Sequence, residues 1–274
     1  MQINFEGSNM KRMIYFAVIT GLFLIGGCVT NPITGKDELM LFGESDDVAM
    51  GKKYAPDVEK ELGGRIENPV LQNYIESVGQ KAAKVSQKPN FEYHYVALND
   101  KMINAFALPG GPIFITSGLL KKLTSETQLA SVLAHETAHV VARHTMHSLS
   151  KELGFELVLS AVTTEKTSQT AVAVAKVTNQ IVSLKYSRED EKIADLAGLD
   201  YMVAAGYNPN GMAETMQMFQ DESKSGSIEF LSTHPDPDNR VGYIKEKIMA
   251  KYPQSGNLRI GKEDYTRNVL DQLK

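Results

Sequence analysis

Apolar residues recur at helical spacing along most of this chain, and the departures from that spacing mark its strands and breaks. Helical signals begin near Ser45, where Asp46 and Asp47 complement the dipole of a first turn, and run to about Leu62 before Gly63-Gly64 stops them. Asn68-Pro69 then supplies a cap and a first-turn proline for a helix whose face is Leu71, Tyr74, Ile75, Val78, Ala82 and Val85. The period changes at Phe91 to Leu98, an aromatic and β-branched run that predicts a strand ending at Asn99-Asp100. Asn104 to Leu108 and Pro112 to Thr116 predict two more short strands, forming a hairpin around Pro109-Gly110-Gly111.

Ser125-Glu126-Thr127-Gln128 fits a capping box, and the helix after it carries Leu129, Val132, Leu133, Val140 and Val141 for packing. Residues 150–185 hold two apolar stretches, Leu153 to Val162 and Ala171 to Val182, each too short for a membrane span. They predict a helical hairpin over the active site, with surface that could also touch lipid or an unfolded client. A further helix opens at Ser187 and ends at Gly206-Tyr207-Asn208-Pro209, and another follows through Met218. Ser232 to Arg240 is a proline-rigid loop leading into a last amphipathic helix that reaches about Lys251. No internal repeat and no second domain is visible.

The N-terminus belongs to a different class of segment. Met10-Lys11-Arg12 is a short basic start, and the apolar run Met13 to Ile25 is too short for a comfortable anchor, so it reads as a cleaved signal. Met10 serves as an alternative start to Met1. Leu24-Ile25-Gly26-Gly27-Cys28 resembles a bacterial lipobox, with lipidation of Cys28, the only cysteine of the 274 residues. Val29 stands where an aspartate would signal inner-membrane retention, so the resemblance points to the outer membrane, with the domain facing the periplasm. The expected organisation is a signal peptide over 1–27, a tether over 28–40 and one domain over 41–274. With no other cysteine, the exported domain depends on its own core. The net charge of −4 and the lack of a basic stripe exclude a nucleic-acid partner.

The chemistry concentrates in His135-Glu136-Thr137-Ala138-His139. Residues four apart on a helix share a face, so both imidazoles can address one ion, and zinc accepts nitrogen ligands readily. Glu136 is placed to take a proton from water activated there. Glu191 and Asp195 are also four apart. A zinc site with one open position needs three protein ligands, and a carboxylate is a common third. The second carboxylate of the pair then suits the far N–H of a ligating histidine. His144, nine residues after His135, is out of phase if the helix continues, so His144 and His147 read as surface residues. The longer metzincin pattern fails, because Ala142 and Thr145 stand where it needs glycine and histidine. His94, alternating with aromatics, reads as structural. His234 has three readings: donor to an oxyanion and so catalytic, fourth ligand that keeps the site latent, or helix cap. The edge at Asn104, Ala105 and Phe106 could bind an extended peptide by strand addition.

Four segments together resemble the zinc metallopeptidase family that contains HtpX, BepA, LoiP, YcaL, the CAAX prenyl endopeptidases and the mitochondrial Oma-type proteases. They are Asn104 to Gly111, Val132 to His139, Tyr186-Ser187-Arg188 with Glu191 and Asp195, and Ser232 to Pro235. Cys28 to Gly35 is similar to the start of the lipoprotein members. The resemblance implies a mainly helical gluzincin-like α+β fold, with a small β-sheet above the metal helix. It implies one zinc per chain on His135, His139 and Glu191, Glu136 as general base, Asp195 in support and His234 as a latch. Unfolded or misassembled proteins, and the outer-membrane assembly machinery, are the expected partners. The chain differs from BepA in stopping after the peptidase domain, without tetratricopeptide repeats. An assembly factor that binds outer-membrane proteins with little proteolysis is the alternative reading.

Overall fold

The helix with the HExxH sequence is the axis of the molecule: all its residues, Glu126 to Ala142, are buried. In the computed structural model the described residues are 27–162, 184–225, 229–235 and 237–274. They begin with a two-stranded antiparallel hairpin, β1 (Gly27–Thr30) and β2 (Asp37–Met40), then α1 (Glu44–Glu61) and α2 (Pro69–Ala83). The sheet follows as β3 (His94–Leu98), β4 (Ala105–Ala107) and β5 (Pro112–Thr116), and the short α3 (Ser117–Leu120) leads to α4 (Glu126–Ala142). Next come α5 (His144–Val162), α6 (Arg188–Ala204), α7 (Asn210–Ser225), α8 (Glu229–Thr233) and α9 (Pro237–Lys251). A short α10 (Lys262–Tyr265) opens the C-terminal turns. The mainly helical α+β class read from the sequence is observed, with the sheet packed on α4.

Local chemistry accounts for the boundaries. Asn68 caps α2 by accepting from Val70 N and Leu71 N at 3.1 and 3.2 Å, and Pro69 is the first helical residue. Ser187 and Asp190 close a full capping box at α6. At α4 only half of the expected box forms. Ser125 accepts from Gln128 N at 3.4 Å, but the Gln128 amide oxygen takes Thr124 N rather than Ser125 N. Residues 28–40, expected as a tether, have structure of their own: Asn31 accepts from Ile33 N and Thr34 N, an Asx turn that folds β2 back on β1. The signal segment before residue 27 and the stretch Ala171 to Val182 lie outside the described residues, so the hairpin over 150–185 is seen only as far as α5. Among the described residues no helix is long and apolar enough to cross a membrane.

The three-stranded sheet has order β3-β5-β4. The β4–β5 hairpin is antiparallel, with Phe106 opposite Phe114, whereas β3 runs parallel to β5. That leaves two edges, and they are treated differently. Along β3, one face of α2 imitates a missing strand. Gln72 both accepts from Ala97 N (3.0 Å) and donates to Ala97 O (2.8 Å), Glu76 accepts from Tyr95 N (2.8 Å), and Gln80 donates to Tyr93 O (2.9 Å). Spaced four apart, these three side chains close the edge against further pairing. On β4, Asn104 and Leu108 bond to β5, so the alternation turns the backbone groups of Ala105 and Ala107 outward.

Two core clusters lie on opposite faces of the sheet. One joins α4 to α2, α6, α7 and α9; the other fills the space among α1, the sheet and the start of α5. Two glycines set the approach of elements that matter to the site. Gly110, at φ +80°, holds the β4–β5 turn against α1, where a Cβ would stand 2.5 Å from Asp47 O. Gly198 lets α6 lie on α4, since a Cβ there would be 2.9 Å from His135 N. The N-terminus of α4 is tied down through buried Glu126, which accepts from Tyr207 Oη (2.7 Å), Tyr74 Oη (3.0 Å) and Arg259 Nε (2.8 Å).

Candidate metal centre

On α4, one helical turn separates His135 from His139, and their Nε2 atoms face each other at 3.0 Å. The close packing of α6 at Gly198 brings Glu191 onto the same point, 3.5 Å from His135 Nε2 through Oε2 and 3.4 Å from His139 Nε2 through Oε1. The short α8 ends in a turn that adds His234, whose Nδ1 is 2.8 Å from Glu191 Oε1 and 3.4 Å from His135 Nε2. One donor atom from each of these four buried residues lies within 4.8 Å of the others. With metal–nitrogen bonds of about 2.0–2.1 Å, tetrahedral ligand atoms stand ~3.4 Å apart, so the donor spacing fits a zinc-sized ion. The donor chemistry fits as well. His135 Nδ1 is 2.9 Å from Asp195 Oδ1, a contact that favours the hydrogen on Nδ1 and leaves a lone pair on Nε2 aimed at the cluster.

Burial sets the electrostatics. Both Glu136 oxygens are buried without a hydrogen-bond partner among the described residues, and burial raises its pKa. The nearest cluster nitrogen is His234 Nε2, 3.7 Å from Glu136 Oε1. Burial also opposes charge on Glu191 and Asp195, but cations prevail. His234 and Arg240 hold Glu191 well below the usual carboxylate range, and Arg240 with His135 holds Asp195 at about 2. Arg240 is 2% exposed; it donates to Asp195 through Nε (2.8 Å) and Nη2 (2.7 Å), and its Nη1 is 2.9 Å from Glu191 Oε2. The Tyr243 hydroxyl donates to Asp195 as well.

The structure thus brings His135, Glu136, His139, Glu191, Asp195 and His234 together. The His234 backbone N closes α8 by donating to Phe230 O at 2.8 Å, while its ring turns into the cluster and stacks on Phe230 at 4.3 Å. The edge residues are near by. Phe230 N donates to Ile103 O at 3.2 Å, so the turn that carries His234 hangs from the residue before Asn104, Ala105 and Phe106. These three are buried, and so is Ala107, which corrects the expectation of an exposed edge. His94 sits exposed on β3, outside the site.

His144 is not a surface residue. It is fully buried with Nδ1 2.9 Å from His139 Nδ1, because Arg143 adopts a left-handed conformation (φ 56°) and ends α4 before the phase argument applies. Burial, then the nearby His139, lowers its pKa to about 3. His147 is half-buried, near Glu38. Sequence reasoning also missed Tyr186, whose ring stacks on His139 at 4.0 Å, and Arg240. The signal for Arg240 was indirect: two acids on one buried helix face require a cation from elsewhere.

A family model described as peptidase family M48 matches residues 69–248. The putative beta-barrel assembly-enhancing protease of Vibrio cholerae serotype O1 is 31% identical over 202 residues, covering 69% of this chain and 41% of the relative. The beta-barrel assembly-enhancing protease of Escherichia coli K12 is 24% identical over 233 residues, 76% of this chain and 48% of the relative. The mitochondrial metalloendopeptidase OMA1 of Schizosaccharomyces pombe is 29% identical over 274 residues, 89% of this chain and 78% of the relative. The chain therefore spans less than half the length of the two bacterial relatives.

Proposed function

The chain belongs to peptidase family M48, and on that premise we propose that it is a zinc-dependent endopeptidase of the bacterial periplasm acting on misfolded or unassembled outer-membrane proteins. The observation that carries the reading is the convergence of four buried donors beside a buried carboxylate with no other partner. His135, His139 and Glu191 would hold the ion. Zinc in such a setting supplies Lewis-acid chemistry, activating water near neutral pH and polarising a carbonyl.

The remaining work falls to the chain itself. Glu136, made more basic by burial, takes a proton from the attacking water and passes it to the leaving amine. Asp195 accepts the Nδ1 proton of His135 and fixes its tautomer, and Arg240 keeps Asp195 ionised for that purpose. The outward-turned backbone groups of Ala105 and Ala107, between Asn104 and Leu108, are buried in this state and pair with an extended substrate backbone only once they are uncovered. His234 is the latch. Its Nδ1 shares the point where the ligands converge, and its turn hangs on the same edge at Ile103, so a peptide arriving there competes with the turn.

The chain is anchored through lipid on Cys28, which is exposed, and Val29 favours the outer membrane. The names of the bacterial relatives support contact with outer-membrane assembly. Two measurements test the assignment. Under mild chelation wild type should retain one zinc and Glu191→Ala should lose it, and a metal-free wild type should leave an unfolded outer-membrane protein uncleaved. Full zinc occupancy in Glu191→Ala removes Glu191 from the ligand set. Fatty-acid label that persists in Cys28→Ala would remove the anchor.

A further inference from the structure

His135 has a carboxylate beside its far nitrogen in Asp195; His139 needs a partner as well, and among the described residues no carboxylate supplies it. The atom beside His139 Nδ1 is His144 Nδ1, at 2.9 Å. Two nitrogens rest at that separation only when one carries a hydrogen. His139 presents Nε2 to the donor cluster, so its own hydrogen belongs on Nδ1, pointing at His144. His144 must then accept through Nδ1 and carry its hydrogen on Nε2, which faces Asp190 Oδ1 at 3.7 Å. Asp190 immediately precedes Glu191 and is fixed by the Ser187 capping box, so the chain of contacts returns to the ligand helix.

The backbone shows that this contact is built. Among the described residues Arg143 is the one non-glycine with positive φ. Left-handed geometry at such a residue is strained and persists only when neighbours impose it. Here the guanidinium is buried against Asp47, donating through Nε (2.6 Å) and Nη2 (2.7 Å), with a further bond to Phe42 O at 2.8 Å. The strained turn reverses the chain so that the first residue of α5 is directed back at the last histidine of α4. Tyr186 covers the face of the His139 ring, and His144 holds its edge.

We propose that His144 is a positioning residue, taking the Nδ1 hydrogen of His139 and so holding the His139 ring in the tautomer and orientation that ligate through Nε2. The inference rests on the zinc reading of the site. It makes the two histidine ligands unequal: His135 is backed by a carboxylate and His139 by an imidazole. Such partners are worth about 10- to 100-fold in metal affinity.

The test measures zinc affinity by competition with a chelator for wild type, His144→Leu and His144→Asn. Leucine removes the acceptor, whereas asparagine returns an oxygen close to the Nδ1 position. Leucine should weaken zinc binding about 10- to 100-fold, and asparagine should recover most of it, an order that volume alone does not produce. Equal affinity in His144→Leu and wild type, with wild type binding zinc, overturns the role of His144 and leaves the metal reading intact. A wild type that takes up no zinc overturns both. Should the leucine variant not fold, nitrogen-15 spectra of zinc-loaded wild type decide: Nδ1 of His139 protonated and Nδ1 of His144 unprotonated is required, and the reverse pattern refutes the assignment.

Discussion

Replacing Arg240 by methionine removes a cation that touches both Asp195 and Glu191, while roughly keeping the volume of the side chain. In the metal-free protein two buried carboxylates then face histidines and, at Asp195, the neutral Tyr243 hydroxyl. Stripping one partner from a buried ion pair costs about 3–5 kcal/mol, because the remaining charge stays desolvated. At roughly 2–4 °C per kcal/mol for a domain of this size, Tm should fall by about 6–20 °C. The loss should depend on pH with a definite sign. Wild-type Asp195 is held at about 2, below its ordinary 3.8, so its ionised form contributes stability above pH ~4 that is lost as pH falls toward 2. Without Arg240 its pKa rises, protonation relieves the unpaired charge, and the gap between the two proteins should narrow below pH ~4. Zinc should also raise Tm more in Arg240→Met than in wild type, because the ion becomes the principal countercharge. Thermal melts of both proteins in chelator and in zinc, from pH 3 to 7, give all three quantities. A drop in Tm below ~3 °C at neutral pH, or a gap that widens in acid, would refute the assignment of Arg240 as the countercharge.

The other consequences concern approach and gating. Gly198→Ala places a methyl 2.9 Å from His135 N, so α6 must move off α4 and carry Glu191 and Asp195 with it. We expect a loss of about 1–3 kcal/mol in stability and weaker zinc binding by calorimetric titration, and an unchanged zinc affinity would contradict the close-approach argument. His234→Ala should raise basal cleavage of an unfolded substrate when zinc occupancy is matched to wild type. Equal or slower cleavage would show that His234 is not a latch.

What the sequence disclosed about the site followed distance along the chain. His135 and His139, like Glu191 and Asp195, could be paired because each pair lies on one helix with a fixed period. Arg240 could not, since it reaches Asp195 across 45 residues and no local pattern encodes that contact. His144 was misread for a more specific reason. The phase argument assumed a continuing helix, and the break falls on an arginine held left-handed by Asp47, 96 residues away, where neither glycine nor asparagine gives warning. The fold divides in the same way. The β4–β5 hairpin is local and was legible, while the parallel pairing of β3 on β5 and the closure of its outer edge by Gln72, Glu76 and Gln80 depend on where α2 packs. Asn31 was visible as a turn, but not the two strands it joins, because each is only four residues long.

On the proposed reading, Glu136 is the base of a hydrolytic site whose metal is held by other residues. The most direct test is the cleavage rate of an unfolded outer-membrane protein, expressed per bound zinc, for wild type and Glu136→Gln. Since Glu136 is not among the ligands, the variant should hold one zinc like wild type yet cleave about 10²- to 10⁴-fold more slowly, the usual contribution of a positioned base. Equal rates per zinc in the two proteins would contradict the account.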